Sequence, residues 1–314
     1  MSDQDGQWER AAIERLAGAA LKEQRSARRW SNFWKFLFFA YLTVIIVLAV
    51  DWKGAAESRG GKHTALVDLK GVIAFDSEAS ADRISEALEA AFKDKSTLGV
   101  VLRINSPGGS PVQAQTLFDE IRRLRKKYPA TPLYAVVDDI CASGGYYVAA
   151  AADRVYVSKA SIVGSIGVRL DSFGVVGLME KLGIERRLFT AGSNKGMLDP
   201  FLPLDEKQKA IAQGLLDDVH RQFIAAVREG RGSRLKETPD MFSGVIWTGD
   251  QSVRLGLADG FGTLDTVARD VIKAEDVVDY TVKENVAERL ARRFGAGATS
   301  ALLGFALRAD PLLR

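Results

Sequence analysis

The amino-acid sequence predicts an α/β domain, a mostly parallel sheet with helices on its faces, carried behind one membrane-spanning helix. Three observations predict it. From about residue 64 onward, apolar runs of strand length alternate with amphipathic segments of helix length. Ahead of them lies one long uncharged apolar run, FLFFAYLTVIIVLAV at 36–50. The composition, with 47% of 314 residues hydrophobic and 26% charged, supports a sizeable core and excludes a disordered chain.

The composition also narrows function. The formal net charge of +3 is too even for a chain built around nucleic-acid phosphates, so no nucleic-acid partner is expected. One cysteine, Cys141, rules out an intramolecular disulfide and a cysteine-based zinc cluster. Only two histidines, His63 and His220, are available for catalysis.

Five segments follow in order. Residues 1–32 hold Ile13, Leu16, Ala17, Ala20 and Leu21 at helical spacing, an amphipathic helix expected on the cytoplasmic side, lying on the inner leaflet or partly solvated. Residues 33–52 form the expected membrane helix. The run of 15 residues alone rises only about 22 Å against a hydrocarbon core of roughly 30 Å. Phe33, Trp34, a snorkelling Lys35 and Trp52 extend it. Some 35 residues precede the run and no small-x-small site follows it closely, so a cleaved signal peptide is not expected. Orientation rests on charge: the nearest 11 residues on the N-terminal side hold four Lys or Arg, and those on the other side hold two. The positive-inside rule then keeps the N-terminus in the cytoplasm, with the large domain outside the inner membrane, in the periplasm.

A small, polar linker covers 53–63, and the soluble domain covers 64–282. Within it, strands are expected at 64–74, 98–104, 133–137, 154–157 and 185–190. Helices are expected at 79–93, 112–127, 144–152, 174–182 and from about 205 to 228. Asp205, with Gln208 three residues on, forms the start signal of the last helix. The tail 283–314 is basic and amphipathic, and its apolar stretch 294–307 is too short to cross a bilayer.

Two turns follow strands, where parallel sheets place their ligands. In the first, Asn105-Ser106-Pro107-Gly108-Gly109-Ser110, paired glycines let backbone N–H groups face a phosphate, a carboxylate or a developing oxyanion. The second is Cys141-Ala142-Ser143-Gly144-Gly145-Tyr146. Its serine is either the N-cap of the next helix or a nucleophile on an elbow, with the Gly144 N–H as an oxyanion donor. A second glycine turn on the neighbouring strand favours the nucleophile. Cys141 reads as a small buried apolar residue.

A serine nucleophile needs a base. His63 precedes the first strand of the domain, and His220 sits in the long helix beside Leu216, Val219 and Phe223, so neither suits a triad. A lysine held neutral by desolvation is the alternative. Lys195, in the glycine-bracketed loop 191–197, is the best-situated candidate, and Lys159 is its rival.

Together the motifs resemble the short form of the signal peptide peptidase A family, membrane-anchored serine peptidases of bacterial envelopes. The matching pieces are LRINSPGGS at 102–110, CASGGYYVAAAADRVYVSKASIVGSIGV at 141–168, TAGSNKGMLDPF at 190–201 and GVIWTGDQSVRLGLADGFGTL at 244–264. The resemblance spans roughly residues 64–270. It implies a crotonase-like or Clp-protease-like fold of repeated ββα units, and a ring-shaped homo-oligomer. It also implies a Ser-Lys dyad of Ser143 and Lys195, 52 positions apart. The lysine of that dyad is in some relatives supplied by a neighbouring subunit. Oxyanion donors are then expected at Gly108 or Gly109 and at Gly144, and Gly164 and Ser165 on the border of the substrate groove. No metal or organic cofactor is implied. The implied substrates are extended apolar peptides such as cleaved signal peptides, taken at the lipid bilayer. Three alternatives remain: an envelope protease of the related SohB type with other substrates, a crotonase-type acyl-coenzyme A enzyme, and a non-catalytic scaffold of the same fold.

Overall fold

The computed structural model describes residues 28–44 and 61–282. Residues 28–44 form a helix, α1, with Trp30, Phe33, Trp34, Phe36 and Phe39 exposed along it. This helix takes in the first part of the long apolar run; the rest of that run lies outside the described residues. Among the described residues, no helix is long and apolar enough to cross a membrane. The expected amphipathic helix around Ile13–Leu21, most of the linker and the basic tail also lie outside them.

The second unit begins with β1 (His63–Lys70), α2 (Ala81–Lys93), β2 (Thr97–Ser106), α3 (Pro111–Lys127) and β3 (Leu133–Ala142). Then come α4 (Gly144–Ala149), β4 (Arg154–Val157), β5 (Ile162–Gly164), α5 (Val176–Lys181) and α6 (Glu206–Arg231). It closes with β6 (Ile246–Thr248), α7 (Gly249–Arg254), β7 (Gly260–Phe261), α8 (Leu264–Thr266) and β8 (Val277–Asp279). The strand order is β6-β5-β3-β2-β1-β8, with β4 on β3 and β7 on β4. Every pairing among these strands is parallel except that of β5 with β6.

The period-2 pattern of the strands divides the core. Val67, Leu69, Leu102, Ile104 and Leu133 face α2 and α3, where they meet Leu88, Leu117, Ile121 and Leu124. Leu66, Val101 and Val136 alternate to the other face and pack with Tyr156, Val267 and Ile272. Each such large side chain contributes about 1.5–3 kcal/mol on burial. Pro111 at the first turn and Ser110, whose hydroxyl accepts the Gln113 N–H, start α3. Arg125, Lys126 and Lys127 close it, favourably placed against the helix dipole.

Two features of the sheet position the site. The central strand β3 changes partner along its length: Tyr134–Val136 pair with β4, and Ile140–Ala142 pair with β5. The sheet therefore forks at Asp138 and Asp139, whose side chains are exposed. Second, α6 is locked at its C-terminal end by the fully buried side chain of Arg231, which donates to Asp259 at 2.8 Å and to the Gly256 carbonyl at 2.9 Å.

One expected strand is absent. Residues 185–190 form no ladder with any described strand, and Phe189 is 92% exposed. Alternating apolar residues make a strand only where an edge is available to pair with them. None of residues 169–205 is buried, and this arm leaves Phe173, Leu178, Leu182, Phe201 and Leu204 exposed.

Candidate active site

Ser143 stands between the end of β3 and the start of α4, with φ 52° and ψ −124°. Residues with side chains rarely adopt this region, and where they do the surroundings impose it. The serine occupies the cap position of α4, yet its hydroxyl makes no capping hydrogen bond. Its backbone is fixed on both sides: the Ser143 N–H donates to Gly164 O at 2.8 Å, and the Tyr147 N–H donates to Ser143 O at 3.0 Å. This is the geometry of a nucleophile elbow, with the hydroxyl left free. Behind it Cys141 is wholly buried, and burial pushes its thiol far above the ordinary range. A buried thiol of this kind is no nucleophile.

The glycine turn after β2 lies against this elbow. A Cβ on Gly144 would stand 3.3 Å from the Gly109 nitrogen. Gly108, at φ 99°, approaches closer still. The amides of the turn differ in what they bind. The Gly108 N–H donates to Ser106 Oγ at 3.1 Å, and the Ser110 N–H donates to Ile73 O at 2.8 Å. Gly109 N–H donates to no acceptor among the described residues, and neither does Gly144 N–H at the open start of α4.

Ser143, Gly144, Gly108 and Gly109 line one cavity of about 620 Å³. Val72, Pro111, Tyr147, Val219 and Phe223 give it an apolar side. Ser165, Gly167, Val168 and Arg169 form another wall. That wall is held from two directions: the Ser165 N–H donates to Val245 O at 2.9 Å, and His220 Nε2 lies 3.1 Å from Ile166 O. Gly164 packs under Trp247, where a Cβ would come within 2.8 Å of Cδ1.

The structure thus gathers Ser143, Gly108, Gly109, Gly144 and Ser165 at one cavity, with Gly164 bonded to the Ser143 backbone. It does not bring Lys195 there within one chain. Lys195 is exposed on the 169–205 arm, and its own loop is folded by the Lys195 N–H to Gly192 O contact at 3.1 Å. Lys159 is engaged elsewhere, with Nζ 5.8 Å from the centre of the Phe261 ring. His63 is buried at the start of β1, with Nδ1 3.1 Å from Gly61 O and Nε2 3.1 Å from the Tyr280 hydroxyl. Neither histidine lines the cavity. Among the described residues, no group of three or more His, Cys, Asp or Glu is placed to hold a metal ion.

Sequence reasoning missed Ser106, and it missed that α6 supplies Val219 and Phe223 to the cavity. Ser106 carried only a weak signal, a small polar residue at the end of β2 directly before the Pro-Gly-Gly turn. The contribution of α6 depends on tertiary packing and left none.

The sequence pattern of the family described as Peptidase family S49 matches residues 125–278, a span that includes Ser143 and Lys195. A protein of Methanocaldococcus jannaschii named as a putative protease is 32% identical over 258 residues, covering 77% of this chain and 82% of its own length. A protein of Enterococcus faecium named as a putative signal peptide peptidase SppA is 28% identical over 236 residues, covering 73% of this chain and 68% of its own. The Na(+)/H(+) antiporter NhaA of Brucella abortus is 44% identical over 182 residues, 58% of this chain. That stretch is 25% of the antiporter, so the chain spans only about a quarter of that relative.

Proposed function

The chain belongs to peptidase family S49, and from that premise we propose that it is a membrane-anchored serine endopeptidase with Ser143 as nucleophile and Lys195 as general base. The single observation that carries this reading is the strained, uncapped Ser143 beside two amides, Gly109 and Gly144, that bind nothing among the described residues. In the proposed reaction, neutral Lys195 takes the Ser143 proton and the oxygen attacks a peptide carbonyl. The oxyanion forms between the Gly109 and Gly144 N–H groups. The protonated lysine returns the proton to the leaving amine, and water then cleaves the acyl-enzyme. Gly108 acts by its lack of a side chain, since its own N–H is engaged with Ser106.

A solvated lysine titrates near pH 10.4, to within roughly a unit, and is protonated at neutral pH, so the base must be desolvated. Lys195 is exposed in one copy, and the apolar arm that carries it is exposed with it. Uncovered apolar surface of this kind fits against another copy. The proposed active form is therefore a ring-shaped homo-oligomer in which a neighbour's arm delivers Lys195 to Ser143. The finer fold assignment, crotonase-like or Clp-protease-like with ββα repeats, belongs to the same proposal, and the forked β3 fits it.

The apolar side of the cavity, with Val72, Val219 and Phe223, suits extended apolar peptides such as cleaved signal peptides. The wall at Ser165–Val168, entered through Gly164, would align them. The run at 36–50 would hold the domain at the inner membrane facing the periplasm, where such peptides lie. Cleavage of an apolar peptide by the full chain in detergent, lost in both Ser143→Ala and Lys195→Ala, tests the assignment. Undiminished cleavage in either variant removes that residue from the mechanism.

A further inference from the structure

We propose that Ser106 is the positioning residue of the oxyanion hole. This rests on the peptidase reading above and adds to it a residue that never touches substrate.

Ser106 ends β2, wholly buried, in register with Cys141 of β3. The two turns of the site leave the sheet from these neighbouring strands, and Ser106 touches both. Its hydroxyl has one proton and gives it to Gly71 O at 2.6 Å. Its lone pair accepts the Gly108 N–H at 3.1 Å. On its other side, the Ser106 carbonyl oxygen lies 3.0 Å from where a Cβ on Gly145 would stand, so its backbone abuts the first turn of α4.

The hydroxyl decides which amide of the Pro-Gly-Gly turn is left over. Pro107 has no N–H, Gly108 gives its own to Ser106, and Ser110 gives its own to Ile73. Gly109 alone remains, and its direction is set by the bonds on both sides of it. The Ile73 N–H to Gly108 O bond, at 2.9 Å, completes the frame and ties the turn to the segment after β1. Ser106 and Ile73 together therefore hold the Gly109 amide still before any substrate arrives, which is what preorganised oxyanion stabilisation requires. Without the hydroxyl, the buried Gly108 N–H has no partner. Its peptide then gains by rotating toward water in the cavity, and that rotation turns the adjoining Gly109 amide.

A serine that only helps the fold would change stability alone. A positioning role changes binding of the transition state more than binding of the substrate. The test compares the full chain with Ser106→Ala, Ser106→Cys and Ser106→Thr in detergent. Three quantities are measured for each: kcat and KM on one fluorogenic apolar peptide, and the affinity for the peptidyl aldehyde of the same sequence. The aldehyde forms a tetrahedral adduct with Ser143. Ser106→Ala is expected to lower kcat by about 10- to 100-fold with KM within about threefold, and to weaken the aldehyde by the same factor as kcat. Ser106→Cys keeps the pocket filled, with a somewhat larger and poorly hydrogen-bonding group, and is expected to behave likewise, so it carries the test if the alanine variant does not fold. Ser106→Thr, which keeps the hydroxyl, is expected to recover most of both quantities. Wild-type kcat and aldehyde affinity in Ser106→Cys or Ser106→Ala overturns the proposal, as does a change confined to KM. A wild-type chain that neither cleaves the peptide nor binds the aldehyde overturns the peptidase assignment instead.

Discussion

Gly108 lies so close to Ser143 that a Cβ added to it would stand 2.8 Å from the Cβ of the serine and 2.6 Å from the Gly144 nitrogen. The two turns of the site are thus in backbone contact, and glycine at 108 is what permits it, at a φ of 99° that an alanine adopts only under strain. Gly108→Ala is expected to lower kcat/KM at least about 100-fold, by pushing an oxyanion donor out of place. It is also expected to destabilise the domain by roughly 1–3 kcal/mol. Peptide turnover and a denaturant midpoint on the same preparation check both.

Lys195 is exposed in a single chain, and in the proposed oligomer the dyad forms between copies. Ser143→Ala and Lys195→Ala chains, each inactive alone, are expected to regain activity when expressed together. Random mixing in a closed ring pairs a working serine with a neighbour's working lysine at about a quarter of the sites, which sets the recovered activity. A co-expressed mixture that stays inactive places the lysine and serine of a site in one chain.

The wall at 165–168 is held through the bond between His220 and Ile166 O. His220→Leu is expected to raise KM by about 2- to 10-fold, the equivalent of one hydrogen bond of about 0.5–1.5 kcal/mol, with kcat little changed. His220→Gln, which keeps an N–H donor, is expected to lose less. Steady-state kinetics on one apolar peptide distinguishes them.

Asp259 contributes to acid stability. Burial raises its carboxyl, but the hydrogen bond and charge of Arg231, with the Val155 N–H and the charge of Arg234, together outweigh burial and hold the group below its ordinary value. A carboxyl lowered in the folded state stabilises the protein above its unfolded pKa of about 3.9 and loses that contribution as pH falls through the folded value. The thermal midpoint is therefore expected to fall steeply below about pH 4. In Asp259→Asn that part of the slope disappears, and stability at neutral pH drops by about 3–5 kcal/mol, since Arg231 is left buried without its counter-charge. Thermal scans between about pH 3 and pH 7 on both proteins measure the two effects.

The long elements were legible because their periodicity runs over many residues. β1, β2, α2, α3 and α6 lie close to where alternation and helical spacing put them, and so does β4, though it has only four residues. The short strands β5, β6, β7 and β8, of two or three residues each, are too brief to carry a period. Asp138-Asp139 reads as the end of a strand, yet β3 runs on through it to a new partner. At the site, Ser-Gly-Gly spells both a cap and an elbow. What the structure adds is that the Ser143 side chain makes no capping bond. Nor does the sequence distinguish Gly108 from Gly109, two identical residues of which Gly108 has its N–H engaged by the Ser106 hydroxyl.

Ser143 as the activated nucleophile is tested most directly by treating the full chain with a fluorophosphonate and locating the adduct by mass spectrometry of its peptides. A single adduct on Ser143, absent from the Ser143→Ala chain, is the expected result. An unlabelled chain, or a label that persists at another residue when Ser143 is replaced, contradicts it.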